Sequence, residues 1–339
     1  MLAALSGVSS SLVFGVATGP DLLRLFAVPV FAWAAVRDLA TRRVPNWTWI
    51  PLLTVGAIAL LWDIVSITGV SAFQQRLFVV QTALSLGFVA PLGYIFWRIG
   101  GFGGADAKAI ITLAVVFPVY PIYYVAGAYP IHHAPLGVFS FTILSNTVLI
   151  GLLYPFALAL RNLPRGELTP AMFVGRRIPI EGVSTEYGRL LETSDGFTRR
   201  GLDIDALRMY LRWRGISVSE LRRDPDRYRA SIPADPNEPG DGSIQPNAME
   251  GPNADPTVDS IEAIEGDPWS AEAFLSEHSA YGTTPDGLRE GLTTLSDPDR
   301  ETVWITPGIP FIVPMFVGLV VALTFGDVMF ALFSALGMG

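Results

Sequence analysis

Two aspartates lie at the edges of long apolar stretches, where a membrane protein rarely places a charge. Asp38 ends one stretch, in the sequence Ala-Trp-Ala-Ala-Val-Arg-Asp, and Asp106 opens another, in Gly-Gly-Ala-Asp-Ala-Lys. A carboxylate at the edge of the hydrocarbon layer is costly, so an ionisable residue there indicates a function. Two carboxyl groups are also the minimum that can activate water by general acid and base exchange. The pair therefore favours an enzyme.

The composition is that of a chain with several membrane spans. Of its 339 residues, 50% are hydrophobic and only 16% are charged. Because there is no cysteine, disulfides, cysteine-bound zinc, iron–sulfur clusters and a thiol nucleophile are excluded. His132 and His133 share one loop and His278 lies in a distant polar region, so no histidine-rich metal site is expected. We expect no metal and no other cofactor.

Charge is distributed very unevenly along the chain. Residues 161–303 contain 16 arginines and 26 acidic residues, a net charge of −10, whereas the rest contains 7 basic and 5 acidic residues. The five acidic residues of the apolar part are Asp21, Asp38, Asp63, Asp106 and Asp327. Asp21 and Asp327 have the character of boundary residues. Asp63 is expected to lack a basic partner and a glycine turn, so a structural role is expected for it.

The hydrophobic pattern predicts an all-α polytopic membrane protein with about six transmembrane helices, since a span needs roughly 20 apolar residues. A lead-in over residues 1–21 precedes a membrane core over 22–160, and residues 304–339 hold helix 6, near 305–326, and a C-terminal tail. The five helices of the core are predicted near 22–38, 48–69, 77–97, 107–129 and 137–160.

Basic residues in the short loops predict the orientation. The loops after the first, third and fifth spans carry arginines, and the intervening loops carry one or none. The basic loops are therefore placed in the cytoplasm, and both termini outside. Asp38 and Asp106 then lie at the same, cytoplasmic, membrane face.

Residues 161–303 are predicted to form a large cytoplasmic insertion between helices 5 and 6. The stretch 161–232 is rich in arginine and shows helical periodicity between Leu202 and Leu221. The stretch 233–303 is acidic and rich in proline, glycine, asparagine and serine, so it is expected to be largely flexible, with a short amphipathic helix near 268–278 as the possible exception. The insertion has two open roles: attraction of basic peptides by long-range electrostatics, or a solubilising or regulatory loop. Its arginines near 161–177 are candidates for contact with anionic lipid.

Each aspartate also has a structural interpretation. Asp38 could mark the membrane boundary beside Arg37 or Arg42, and Asp106 could favour the positive end of its own helix. Lys108 could tune Asp106 or contact a substrate, although an interfacial position for its charge is the simpler role. Four glycines precede Asp106 within residues 100–104, and such a loop allows a close approach to another helix.

Both motifs resemble those of type IV prepilin peptidases, which are intramembrane aspartic proteases of the GxGD type. The first is Asp38 followed by Arg42-Arg43-Val44-Pro45-Asn46, and the second is Gly103-Gly104-Ala105-Asp106-Ala107-Lys108. Ala105 stands at the third position of the motif, where the family has glycine. The resemblance covers residues 22–160 and 304–326 and leaves the insertion out.

The resemblance implies an aspartic endopeptidase whose catalytic residues are Asp38 and Asp106. The residues expected to support them are Gly103, Gly104, Ala105, Lys108, Arg42, Arg43, Pro45 and Asn46. The absence of cysteine and of a methyl-donor site places the chain nearer to the archaeal branch, the prepilin and preflagellin (prearchaellin) peptidases, which do not N-methylate their products. The implied partners are precursors of pilins and archaellins, cut behind a short basic leader at the cytoplasmic face of the cell membrane; lipid is a further partner and nucleic acid is not expected.

Three other functions remain open at this point. A proton-coupled transporter would use intramembrane carboxylates, but it favours acids near the midplane and an internal repeat. A presenilin-like protease would place a tyrosine before its first aspartate, where this chain has Arg37. A non-catalytic membrane protein of filament assembly would use the acids for structure alone.

Overall fold

The computed structural model describes most of the chain. The described residues are 12–166, 169–193, 196–198, 201–244, 260–262, 266–308 and 310–337. Residues 1–11 of the predicted lead-in therefore lie outside the described residues. Residues 245–259 and 263–265 of the insertion also lie outside them.

Helices dominate the described part of the chain. In chain order they are α1 Gly19–Arg24, α2 Ala27–Thr41, α3 Trp49–Ser66, α4 Ala72–Leu84, α5 Ala90–Arg98, α6 Gly104–Val116, α7 Phe139–Asn162, α8 Ile204–Arg214, α9 Val218–Arg223, α10 Pro225–Arg229, α11 Ala271–Glu277, α12 Pro285–Ser296, α13 Ile312–Thr324 and α14 Val328–Ala335. A π-helical turn, Ser85–Val89, joins α4 to α5.

Short strands are also present, so the expectation of an all-α fold is wrong in this respect. They are β1 Tyr123–Tyr124, β2 Ala128–Tyr129, β3 Arg176–Pro179, β4 Arg189–Leu190, β5 Glu192–Thr193, β6 Gly196–Phe197, β7 Ser231–Pro233, β8 Ser260–Glu262 and β9 Thr302–Thr306. Local apolar periodicity did not reveal them, because strands of two to five residues are too short to show a clear alternating pattern.

The chain divides into two compact units. The first contains Met1–Tyr154 and Pro310–Gly339, and the second contains Pro155–Ile309. Each has its own hydrophobic core. The boundaries lie close to those predicted for the insertion.

Three helical segments of the described chain are long and apolar enough to cross a membrane, judged by length and composition. They are Asn46–Gly69, Ala72–Arg98 and Phe139–Asn162. They agree with the predicted spans near 48–69, 77–97 and 137–160. The chain is accordingly a mainly helical membrane protein.

The three other predicted spans differ from the structure. The apolar stretch near 22–38 is divided into α1 and α2, and the stretch near 107–129 is helical only as far as Val116. Helix α6 ends there because Pro118 follows Phe117, and the residue before a proline disfavours the helical conformation. The stretch near 305–326 begins in β9. Helix α13 starts only at Ile312, because Pro307 and Pro310 disfavour a helix before that residue.

The core of the first unit is built around α6. Its residues Ala109, Ile110, Leu113 and Ala114 are buried, and α3 and α5 pack against it. Helix α13 packs against α2, with Phe31 and Leu319 in the shared core. Since α2, α6 and α13 have only 15, 13 and 13 residues, packing within the unit holds them in place.

A buried ion cluster joins α1, α3 and α6. The Arg24 guanidinium donates to Asp21 Oδ1 at 2.7 Å, to Asp63 Oδ2, and to the carbonyl of Val116 at 2.8 Å. Arg24 is 1% exposed and Asp21 is 7% exposed. The inference that Asp63 lacks a basic partner is wrong, because Arg24 lies far from it in sequence and reaches it only in the folded chain.

The second unit combines helices with a three-stranded antiparallel sheet of order β3-β9-β4. Its core contains Leu207 and Tyr210 from α8, which lies within the predicted helical stretch 202–221. The expectation that residues 233–303 are largely flexible is wrong for residues 266–303. Trp269, Phe274, Leu288, Leu292 and Leu295 are buried in the same core. The acidic residues of α12 face outward, and its apolar face is covered. The average composition of the stretch cannot reveal this arrangement.

Candidate active site

Asp38 lies in the last turn of α2 and is 7% exposed. Its backbone carbonyl accepts from the N–H of Arg42 at 3.0 Å, and Arg42 ends the helix in a left-handed conformation with φ of 56°. The backbone N–H of Ile312, the first residue of α13, lies near enough to favour the ionised form of the side-chain carboxyl, whereas burial disfavours it. The N–H groups at the beginning of a helix have no partner inside it, and they favour negative charge.

Asp106 lies in the first turn of α6 and is partly buried. Its Oδ2 accepts from the backbone N–H of Gly103 at 3.1 Å, so the aspartate caps the helix on which it stands. A Cβ at Gly103 would lie 3.0 Å from Asp106 Oδ2, tighter than ordinary side-chain contacts. Glycine at this position therefore allows the carboxylate to fold back over its own loop.

The structure brings the two aspartates to the same end of the first unit. Burial and the charge of Asp38 are the two main electrostatic influences on the Asp106 carboxyl. The guanidinium of Arg42 acts on Asp38. The buried ion cluster of Arg24 lies at the other end of α6, near Val116, roughly 15 Å from Asp106 at the helical rise per residue. The two acidic clusters of this unit are thus separate.

The supporting residues of the first motif lie in the segment between α2 and α3. Pro45 precedes a single helical turn, Asn46–Thr48, that leads directly into α3. Asn46 Oδ1 accepts from Lys108 Nζ at 2.6 Å, which ties this turn to α6. Arg43 is partly buried, and its carbonyl accepts from Thr41 Oγ1 at 3.1 Å. Lys108 is therefore a link between the two motifs.

The departure at Ala105 has a simple structural explanation. Gly103 precedes the helix in an extended conformation, and α6 already begins at Gly104. Ala105 is thus an ordinary helical residue, and alanine is the most favourable residue for that state. A Cβ at Gly104 would have no closer neighbour than Trp97 Nε1 at 3.8 Å. Of the three small residues before Asp106, only Gly103 is required by the local contacts.

An aromatic stack lies beside the site. Phe102, in the glycine loop, stacks on Phe96 and on Phe311, with 5.0 Å between ring centroids in both pairs. Phe311 directly precedes the residue whose N–H meets Asp38. The stack thus fixes the loop that carries Asp106 to the beginning of α13.

Some polar atoms at the site have no hydrogen-bond partner among the described residues. They are Asp38 Oδ2 and the Nε and Nη1 atoms of Arg42, all of them buried. A buried polar atom without a partner costs free energy, so its presence indicates a function or a bound molecule. The arrangement offers an acceptor, two donors and a second carboxyl group, which suits a polar molecule such as water or a peptide group.

The chemistry available here is acid and base exchange. Within the described ranges, no group of three or more histidine, cysteine, aspartate or glutamate side chains is arranged to hold a metal ion. The two carboxyls, the Arg42 guanidinium and the Lys108 ammonium are titratable groups that the structure places at the site.

Two known family models match separate parts of the chain. The model of the type IV leader peptidase family matches residues 25–156, and the model for the archaeal peptidase A24 C-terminus, type II, matches residues 261–328. Both parts of the chain are therefore similar to this peptidase family. The first match includes both aspartates, and the second includes α13 and part of the insertion.

Two relatives bear the name preflagellin peptidase. The protein of Methanocaldococcus jannaschii is 25% identical over 157 residues, which cover 43% of this chain and 63% of the relative. That of Methanococcus maripaludis is 25% identical over 167 residues, which cover 47% of this chain and 68% of the relative. The match to the first relative thus spans less than two thirds of its length.

Two contributions to the site were missed by the sequence analysis. One is the N–H of Ile312; the prolines at 307 and 310 were a signal that a helix begins after them. The other is the link between Asn46 and Lys108, for which the sequence contains no signal beyond the motifs themselves.

Proposed function

We propose that the protein is a membrane endopeptidase that removes the short basic leader from precursors of pilins or archaellins. The observation that carries the proposal is the position of Asp38 and Asp106, two carboxyl groups from distant parts of the chain that share one end of an apolar unit. The match to the leader peptidase family model and the names of the two relatives support the substrate class.

In the proposed mechanism the two aspartates share one proton, because two adjacent carboxylates do not both ionise readily. The charged one takes a proton from water as the water oxygen attacks the scissile carbonyl carbon. The protonated one donates a hydrogen bond to the carbonyl oxygen. The tetrahedral intermediate collapses as the C–N bond breaks, and a proton passes to the leaving amine, which restores the shared proton.

We assign the charged state to Asp38. Burial disfavours a charge on this carboxyl, but the guanidinium of Arg42 and the beginning of α13 both favour a negative one. Asp106 receives only the N–H of Gly103 and faces the charge of Asp38. Asp38 is therefore the proposed base, and Asp106 the proposed donor to the carbonyl oxygen.

The proposed orientation places this end of the unit at the cytoplasmic face and both termini outside. It rests on the arginines and the lysine that accompany the site, including Arg42, Arg43, Arg98 and Lys108. The basic leader of a precursor lies on the same side. The net charge of −10 of residues 161–303 would attract it, and salt would weaken the attraction. No methyl transfer is part of the proposal.

The proposal is tested with a leader-bearing precursor and four forms of the full chain: wild type, Asp38→Asn, Asp106→Asn and the control Asp286→Asn. The side chain of Asp286 is 85% exposed. We expect the wild type and the control to shorten the precursor on a gel, with sequencing of the new N-terminus locating the cut, and the other two to leave it intact while accumulating in membranes. Normal processing by Asp38→Asn or Asp106→Asn would rule the pair out.

A further inference from the structure

One corner of the second unit exposes a group of large apolar side chains. The members of this group, which we call the apolar corner, are Phe156, Leu160, Leu163, Phe173 and Val174. Three of them follow one another along the end of α7 and the turn after it. Phe173 and Val174 come from a separate helical turn, Pro170–Phe173, and the residue after it. Together they form a contiguous surface, since the rings of Phe156 and Phe173 meet edge to face at 6.5 Å.

The outward position of Phe173 and Val174 is held by packing on the opposite side. Their neighbours Ala171 and Met172 are buried with Trp304 in a small core of their own. The fully buried Asn162 donates from Nδ2 to the carbonyl of Met172 at 2.9 Å and to that of Gly175 at 2.8 Å. The turn is therefore fixed to the end of α7. As a result, the side chains of Phe173 and Val174 remain 42% and 53% exposed.

The charge around the apolar corner is opposite to that of the rest of the insertion. Residues 161–177 contain four of the 16 arginines of residues 161–303 and only one of the 26 acids. Arg161 and Arg177 are exposed. Arg177 also lies over the ring of Trp304, with 5.6 Å from its guanidinium carbon to the ring centroid. The apolar corner thus lies beside a basic segment, although the net charge of residues 161–303 is negative.

The apolar corner is continuous with a surface that is suited to lipid. Helix α7 is one of the segments long and apolar enough to cross a membrane, and Phe156 and Leu160 of the apolar corner lie at its end. Within the second unit, the exposed apolar surface therefore runs from the end of α7 onto the turn at Phe173. Aromatic and aliphatic side chains beside arginines are typical of a segment at the boundary between acyl chains and headgroups.

We propose that the apolar corner enters the headgroup region of the membrane that α7 crosses, and that Arg161 and Arg177 bind anionic headgroups beside it. The lipid would hold this part of the insertion at the membrane surface. The proposal does not depend on the peptidase function, because it rests on burial and charge within the second unit. Contact with lipid also explains why Phe173 and Val174 are exposed, although their backbone is held in place.

The absence of cysteine makes a direct test possible in the full chain. Single substitutions Phe173→Cys, Val174→Cys and Tyr281→Cys are labelled with a small fluorophore. Tyr281 is 45% exposed in the same unit and is the matched control for Phe173. The proteins are placed in vesicles of neutral and anionic phospholipid. Quenching is measured with a lipid that carries a nitroxide near its headgroup, and separately with iodide in the water.

We expect lipid nitroxide to quench the labels at 173 and 174 about threefold more than the label at 281, and iodide to do the reverse. Adding Arg161→Gln and Arg177→Gln to Phe173→Cys should lower the lipid quenching and remove its dependence on the anionic fraction. Equal behaviour of the labels at 173 and 281 would overturn the proposal. Disulfide formation between two copies at 173, without lipid quenching, would overturn it in favour of self-association.

Discussion

Asp38, in the last turn of α2, lies beside the backbone N–H of Ile312, which begins α13 and favours the ionised form of the Asp38 carboxyl. The end of α2 and the beginning of α13 are thus joined by a candidate catalytic group. The free N–H groups of a helix terminus are fixed donors that need no rearrangement during a reaction. This contact, with Arg42, is the reason for assigning the negative charge to Asp38.

Arg42→Gln should slow precursor cleavage about tenfold, because a neighbouring charge that favours one state of an acid contributes roughly 1–2 kcal/mol at partial exposure. Arg42→Lys keeps the positive charge and should retain most of the rate. The rate of shortening at saturating precursor is the measurement. Equally slow cleavage by the glutamine and lysine variants would show that Arg42 contributes to the rate through its shape and not through its charge.

Gly103→Ala should lower the cleavage rate, because the added Cβ would lie 3.0 Å from Asp106 Oδ2 and displace the carboxylate from the N–H of Gly103. A small displacement of a reacting group lowers the reaction rate roughly tenfold or more. Gly104→Ala is the matched control, since its Cβ would meet nothing closer than 3.8 Å. We expect it to cleave at nearly the wild-type rate. Equal loss in both variants would contradict the proposed contact.

Arg24→Met should destabilise the first unit by about 3–5 kcal/mol, because Asp21, Asp63 and the carbonyl of Val116 would lose their shared partner in a buried site. The thermal midpoint of the purified chain in detergent measures it. Arg76→Met, at an exposed position, is the control and should change the midpoint little.

The triple variant Arg24→Met, Asp21→Asn, Asp63→Asn should recover part of that loss, since no unpaired charge then remains buried. A triple variant less stable than Arg24→Met would show that the aspartates do not depend on Arg24 for their stability.

Acid should loosen the second unit through Asp267. Burial acts to raise the pKa of Asp267, but hydrogen bonds from the N–H groups of Glu272 and Ala273 and from Arg289 outweigh it, and the pKa lies below its ordinary value of 3.8. A carboxyl group with a lowered pKa stabilises the fold above that ordinary value, and its contribution is lost as the pH falls through the lower, folded value. Hydrogen exchange of α11 should therefore accelerate below about pH 4.

Asp267→Asn should cost about 1–2 kcal/mol near neutral pH and flatten that acid dependence. Asp286→Asn is a close control, because Asp286 binds the same Arg289 from an 85% exposed position. It should leave both the stability and the pH dependence nearly unchanged. An acid transition that persists unchanged in Asp267→Asn would assign the transition to another group.

The sequence was sufficient for what depends on local pattern. Apolar length predicted the spans that contain α3, α4 with α5, and α7, because about 20 apolar residues must cross the hydrocarbon whatever surrounds them. The types and spacing of residues around Asp38 and Asp106 were sufficient to indicate the family, because the motifs are short and continuous. Pro118, Pro307 and Pro310 also carried local information on where helices stop, which the apolar average concealed.

Contacts between distant segments were decided only by the tertiary structure. Arg24 meets Asp63, Lys108 meets Asn46, and Ile312 meets Asp38 because helices remote in sequence pack side by side. In the second unit, β9 pairs with β3 across more than a hundred residues, and α12 covers an apolar face that its acidic surroundings obscure. A one-dimensional pattern records which residues are apolar or charged, but burial and pairing are set by the neighbours that folding brings to them.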